Sequence, residues 1–418
     1  LSLVGSEMCI RDSGSVTING GTVIAEAACD AITTGKGGTI TINGGDVTAH
    51  GGIDNFEHQS LDMLSGNGIG PYFDGTVTIN GGHVKAFADG KGCGIGGHRG
   101  EVTVTITGGT VEAVAANQFA AIGGEGSVTI TGGVINAAGK NNAAGIGSNG
   151  DIRITGGEIT VSAEGLGAAI GGYAGVDCGN ITIQGNVIKS VISSGAGACI
   201  GGASNRSAGS ITISNAKLPP LNGTSLIGWI RGNTAGSLTI RNCYIESTDT
   251  AAGSGIQVSD NGNIRIENSE VKLPEKRDIR AGDGGSIVIR DSTIHSNGIY
   301  MLGNLNEAKN LKRLEITGST VVTAGNVIGA MGSRASVDEI VIHGSSLSPA
   351  EGADHYYAIG GGEYASFGSI DIQGSQINIP LASNGAAIGG GNYATYSGES
   401  TIRIANSQVT APPGARLS

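Results

Sequence analysis

Large rings and charge are both scarce in this chain. It holds one tryptophan, five phenylalanines and nine tyrosines in 418 residues, and only 14% of its residues are charged. Any core must therefore be built from aliphatic side chains. No run of basic residues occurs and the formal net charge is −11, which argues against nucleic acid or an anionic membrane as partner. No stretch of about 18 apolar residues occurs either, so no membrane-spanning helix is expected. The six cysteines, Cys9, Cys29, Cys93, Cys178, Cys199 and Cys243, have neither metal-ligand spacing nor the density of a disulfide scaffold. They read as small buried apolar residues. The phosphate-binding loop, the dinucleotide fingerprint and the Gly-x-Ser-x-Gly elbow are missing, so the sequence calls for no cofactor and no resident metal.

Glycine is the opposite case. Its 77 copies sit at regular intervals rather than spreading as linker. They belong to a repeat typified by Val104-Thr105-Ile106-Thr107-Gly108-Gly109-Thr110-Val111. Fifteen copies centre on Ile18, Ile42, Ile79, Ile106, Ile130, Ile154, Ile183, Ile213, Ile240, Ile266, Ile289, Ile316, Ile342, Ile372 and Ile404, at intervals of 23 to 37 residues. The residue two before each isoleucine is always Val, Ile or Leu, and the residue between is usually Thr. Such alternation marks a strand with one buried face. The position two after the isoleucine holds only Gly, Asn or Asp, the residues that tolerate a left-handed backbone, so a sharp turn is expected at that position in every copy. The next residue is Gly in early copies and Ser in late ones, from Ser269 to Ser407.

A second motif lies between many copies: Gly94-Ile95-Gly96-Gly97, Ala121-Ile122-Gly123-Gly124, Ala169-Ile170-Gly171-Gly172, Cys199-Ile200-Gly201-Gly202, Ala358-Ile359-Gly360-Gly361 and Ala387-Ile388-Gly389-Gly390. Each repeat then has about three short strands and three turns. Repeats this short cannot bury a face alone and must stack. The expected fold is all-β, a right-handed parallel β-helix of about fifteen coils, handed by the general preference for right-handed crossovers. The repeats resemble the glycine-rich β-helix repeats of large bacterial surface proteins, within the broad pectin-lyase-like superfamily, over residues 14–411. That resemblance implies an architecture and leaves function open, because one fold carries many functions.

Taken in order, residues 1–13 fit no coil. They resemble a translated sequencing-adapter read fused to the reading frame, which implies a metagenomic source and a missing true N-terminus. Residues 14–178 use the Gly-Gly corner, 179–262 are transition coils, 263–411 use the Asn/Gly-Ser corner, and 412–418 form a truncated tail. Further coils or domains of the same chain are expected beyond both ends. The insertion His50–Gly75 carries Phe56, His58, Asp62, Tyr72, Phe73 and Asp74; its His50 and His58, near Asp54 and Glu57, follow no recognised metal spacing and read as a solvated loop. Trp229 is either a surface platform or the cover of a corner. The run Asn306–Arg313 has helical composition.

The strongest candidate contact surface lies in the last two intervals. Tyr364 and Tyr393 fall at the same offset after Ile359-Gly-Gly-Gly and Ile388-Gly-Gly-Gly, and Phe367 and Tyr396 repeat this three residues on. Successive coils should place these rings one above another, beside Glu363 and Asn392, as a strip on which a sugar could stack; the plainer reading is a stack that covers a loop. Enzymes of the resembled class carry paired carboxylates on the outer face of one sheet. The outward position before each central isoleucine offers only Glu315 and Asp371, two coils apart, with Asp371 beside Arg403. No catalytic residue is assigned. The expectation is a non-catalytic part of a secreted, cell-surface repeat protein, acting as adhesin, stalk or glycan-contacting scaffold toward glycans or a neighbouring cell surface. The alternative is a polysaccharide lyase or glycoside hydrolase.

Overall fold

The computed structural model describes residues 2–4, 14–53, 66–228, 236–250, 253–303, 307–325, 327–351, 359–362, 364–379, 386–390, 400–411 and 416–417. Among these the only regular structure is the β-strand, and every pairing is parallel in the strands that carry the repeat. The chain divides into two compact units, Leu1–Thr212 with Ala216–Gly232 and Ile213–Asn215 with Asn233–Ser418. Each is a right-handed parallel β-solenoid. Together the turns number about twelve, somewhat fewer than the fifteen motif copies, all of which lie on strands.

The first unit shows why the repeat folds this way. In Gly38–Ile42, Gly75–Ile79 and Val102–Ile106 the alternation puts Ile40, Val77 and Val104, then Ile42, Ile79 and Ile106, into two inward columns in strict register. All six are fully buried. Burying an aliphatic side chain contributes roughly 1.5–3 kcal/mol, so these columns supply most of the drive to stack. A second sheet follows the corner, with Val47, Val84, Val111 and Ile135 inward. The second motif forms the third side: Ile95, Ile122, Ile146, Ile170 and Ile200 share one register and are fully buried. The insertion joins this column at Ile69, bridged to Ile32 and Ile95. Ser2–Val4 pairs with Ile24–Glu26.

The corners differ from expectation. The residue two after the central isoleucine is left-handed only in the later copies, Asn215, Asn242, Asn268, Asp291, Gly318, Gly344, Gly374 and Asn406, at φ from 47° to 60°, and in Gly185 at 83°. In the first six copies the left-handed residue is the next one, Gly21, Gly45, Gly82, Gly109, Gly133 and Gly157, at φ from 83° to 96°. Space explains the choice of residue: a Cβ on Gly45 would stand 2.5 Å from the Gly21 carbonyl oxygen of the coil below. The later corner has room for a side chain and fills it with serine.

The second unit repeats the three sides with that corner. Its main strands run Leu238–Arg241, Asn263–Glu267, Ser286–Arg290, Lys309–Thr317, Ala335–His343, Ser366–Gln373 and Thr401–Ala405. The segment of helical composition is therefore strand from Lys309 onward, because Leu311 falls into a core column with Val337. Corner serines form a buried ladder. The backbone N–H groups of Ser269, Ser292, Ser319 and Ser345 donate to the Oγ of the serine one coil on, at 3.1 to 3.2 Å. Each Oγ donates in turn to the carbonyl two residues before it. Cys243 takes the first rung with its N–H on Ser269 Oγ. Fully buried Arg277 is held by Asp249 at 3.0 Å, the pairing a buried cation requires. Among the described cysteines, Cys93, Cys178, Cys199 and Cys243 are buried as expected, whereas Cys29 is exposed.

Candidate functional site

Three surfaces carry side chains able to do chemistry or to meet a ligand. The expected aromatic strip is the first. Tyr364 is 47% exposed, and its φ of 60° lies in the left-handed region that bulky residues rarely adopt. Phe367, expected on the same strip, is buried instead: it stands in register with Val337 in the core column that begins at Leu311. Tyr364 lies in the turn before the strand Ser366–Gln373, whereas Phe367 is on that strand at a position whose register faces the core. Tyr393, Tyr396, Glu363 and Asn392 lie outside the described residues, as do Trp229, Asp54, Glu57 and His58. His50 Nε2 stands 2.8 Å from an Asp89 carboxylate oxygen, and its ring meets Phe87 edge-on. Among the described residues no three metal-ligating side chains gather.

The outer face of the main sheet is the second surface, and its chemistry differs between the units. In the first unit it is threonine: Thr39, Thr76 and Thr103 share one register and Thr41, Thr78 and Thr105 another, with Thr76 Oγ1 donating to Thr39 Oγ1 at 3.3 Å. In the second unit it is a grid of ion pairs. Arg290 Nε donates to Glu315 Oε1 at 2.7 Å and Arg313 Nε to Glu315 Oε2 at 3.1 Å. Arg313 also holds Glu339, and Arg265 holds Glu267. Burial pushes the Glu315 carboxyl up, but the Arg290 and Arg313 hydrogen bonds outweigh it and hold the group below its usual value. Asp371 lies in register with Arg403, as read from the sequence, and accepts from Gln373 Nε2 at 2.9 Å while His343 Nε2 stands 3.3 Å away. Val341 separates Glu315 from Asp371. The sequence reading considered only the position before each isoleucine. It missed Glu339 and Arg313, which sit two residues earlier and also face outward.

A third surface was not legible as a site. The residue three after the isoleucine of the second motif is Tyr72, His98, Glu125, Asn149 and Tyr173 in successive coils, because Ile69, Ile95, Ile122, Ile146 and Ile170 are in register. Inside this corner runs a relay. Asn67 N–H donates to Asp30 Oδ1 at 2.6 Å, and Asn67 Oδ1 accepts the Cys93 N–H at 2.9 Å and lies 2.9 Å from His98 Nδ1. Since an amide oxygen only accepts, His98 carries its proton on Nδ1, and its buried Nε2 is left as an acceptor without a partner among the described residues. Burial, with the Arg99 charge, pushes His98 down to about 4. Burial also pushes Asp30 up to about 6, against the lowering effects of the Asn67 N–H and Arg99. The His98 ring packs 5.4 Å from Phe119, and Phe119 packs 5.4 Å from buried Tyr173. Outside the corner, the Arg99 guanidinium lies 4.6 Å over the Tyr72 ring, and Tyr72 meets Phe73 at 90° with centroids 4.8 Å apart.

Residues 175–347 match the family model of the right handed beta helix region. The beta helix repeat model matches five further segments, 16–31, 40–70, 77–100, 104–127 and 128–151. The chain is a right-handed β-helix repeat protein. Comparison with curated proteins and with solved structures gives no match. For a β-helix repeat protein the matches account for the coil and its register. What the outward side chains do must be argued from those side chains.

Proposed function

We propose that this β-helix repeat protein is a non-catalytic, glycan-contacting scaffold of an extracellular, cell-surface assembly. One observation carries the non-catalytic half. The outer sheet face is where the resembled enzymes hold their acids, and there Glu315 has each oxygen taken by a different arginine. A carboxylate so held stays ionised, so it has no proton to donate, and both its acceptor oxygens are already engaged. Exposed Tyr364, kept in an unfavourable backbone conformation, supports the glycan half. The test is a glycan-array screen of the whole chain, with reducing-end and unsaturated-product assays on the polysaccharides bound. Binding without product is the expected result; product formation would overturn it. The alternative reading, a lyase or hydrolase, rests on the Asp371–His343 pair, and predicts product that Asp371→Asn abolishes.

A further inference from the structure

Among the described residues of the first unit, the most exposed pair of aromatic rings is Tyr72 and Phe73, at 37% and 40% exposure. They close the long insertion, and their position is fixed from both sides. Tyr72 N–H donates to the Thr34 carbonyl at 2.9 Å, and the Asp74 carbonyl accepts the Gly37 N–H at 2.6 Å, both from the preceding coil. From the following coil, Asp74 Oδ1 accepts the Glu101 N–H at 3.0 Å, and Gly75 N–H donates to the Glu101 carbonyl at 3.0 Å. Four hydrogen bonds thus hold two large rings outward on a rigid turn, whereas hydrophobic burial alone would fold them away. Arg99 adds to the arrangement, covering one face of Tyr72. The perpendicular packing of the two rings turns their faces in different directions. Charged groups stand beside them: Arg99 over the Tyr72 ring, and Lys36, whose Nζ lies 3.6 Å from Asp74 Oδ2.

From this geometry we infer that Tyr72 and Phe73 form a saccharide-stacking site, rimmed by Lys36, Asp74 and Arg99, for a neutral hexose or N-acetylhexosamine unit of a glycan. A pyranose presents one face of C–H groups and a periphery of hydroxyls. The C–H face packs on an aromatic ring, and the hydroxyls bond to charged groups at its edge. Lys36 is paired with Asp74 and the chain carries a formal net charge of −11, so a uronate gains little over a neutral unit. The preformed turn lowers the ordering cost of binding. This inference rests on the glycan-contacting reading above and assigns it a place.

Its test is a panel of neutral β-linked hexose and N-acetylhexosamine hexasaccharides, with oligogalacturonate as the acidic arm, titrated calorimetrically against the whole chain, Tyr72→Ala, Phe73→Ala, Tyr72→Phe and Tyr364→Ala. Unchanged melting temperatures of the variants establish that they fold. The expected result is binding of a neutral hexasaccharide whose Kd rises at least tenfold in Tyr72→Ala or Phe73→Ala and stays within about twofold in Tyr72→Phe. Binding that survives both alanine variants and falls in Tyr364→Ala would remove this site and leave the glycan reading standing. Preference for oligogalacturonate would overturn the neutral-sugar assignment. Wild-type chain that binds nothing on the panel or on the array would overturn site and reading together.

Discussion

Asp30 and His98 share one hydrogen-bond relay through Asn67, and burial moves them in opposite directions along the pH scale. Asp30 is raised from 3.8 to about 6, so it binds a proton more tightly folded than unfolded; the stability it contributes is full below pH 4 and is lost as pH rises to about 6. His98 is lowered from 6.5 to about 4; its contribution is full above pH 6.5 and is lost as pH falls to about 4. Between pH 4 and 6 the two slopes oppose each other. Asp30→Asn should therefore unmask a rise in stability from pH 4 to 6.5, and His98→Gln a fall over pH 4 to 6. Either slope is at most about 1.4 kcal/mol per pH unit. Urea midpoints across this range decide it. Parallel pH profiles for the two variants would show that the groups do not titrate as their burial dictates.

At the scale of the element, the two corners obey different rules, and substitutions should respect them. Gly344 sits at φ 57° with open space where a Cβ would go, the same conformation that Asn215, Asn242, Asn268 and Asn406 adopt in other copies. Gly344→Asn should leave stability within about 0.5 kcal/mol. Gly45 sits at φ 96° with the Gly21 carbonyl oxygen 2.5 Å from the Cβ position, so Gly45→Asn must displace backbone and should cost upward of about 2 kcal/mol. Denaturant midpoints of the two variants measure the contrast, and equal losses would refute the distinction. The strands themselves were plain in the sequence, because the pattern of an inward Val, Ile or Leu two before each isoleucine holds without exception. The corner was less plain. Glycine at the second position satisfies either turn, and only φ shows that the left-handed residue moves by one. Composition misled at Lys309–Arg313, where Lys, Leu and Arg suit a helix but register with Ala335–Glu339 makes a strand. The expected ring strip lost Phe367 to the core because the strand starts at Ser366, between the two rings, a boundary that the repeated offset does not reveal. The Tyr72–His98–Tyr173 corner escaped notice because its residues align only through the second motif, whose spacing varies with the insertions.

Across the described residues the strands pair coil to neighbouring coil, with side-chain links such as Lys309–Asp260 reaching one coil further, and stability should be local in the same sense. Ile154 is fully buried between Ile130 and Ile183 in its column. Ile154→Ala should cost about 2–5 kcal/mol. The loss should appear as faster amide exchange in the strands Val128–Gly139, Ile152–Ala163 and Ile181–Gln184, while protection in Ser286–Arg290 and Ala335–His343 is unchanged. Uniform loss of protection in both sets would mean that the chain unfolds as one cooperative body.

The serine ladder also governs how such a chain can grow. Each rung requires a serine Oγ from the coil after it and offers an N–H to that coil. A duplicated coil of the serine type, inherited beside its parent, finds both and lengthens the ladder by one rung. A Gly-Gly coil copied into the same place brings no hydroxyl and displaces the left-handed residue by one position. It would strand a buried N–H on one side and crowd a carbonyl on the other. Lineages of this protein are therefore expected to gain and lose coils within each corner type. The boundary between types, around Gly185 to Asn215, is the place where duplication is most costly.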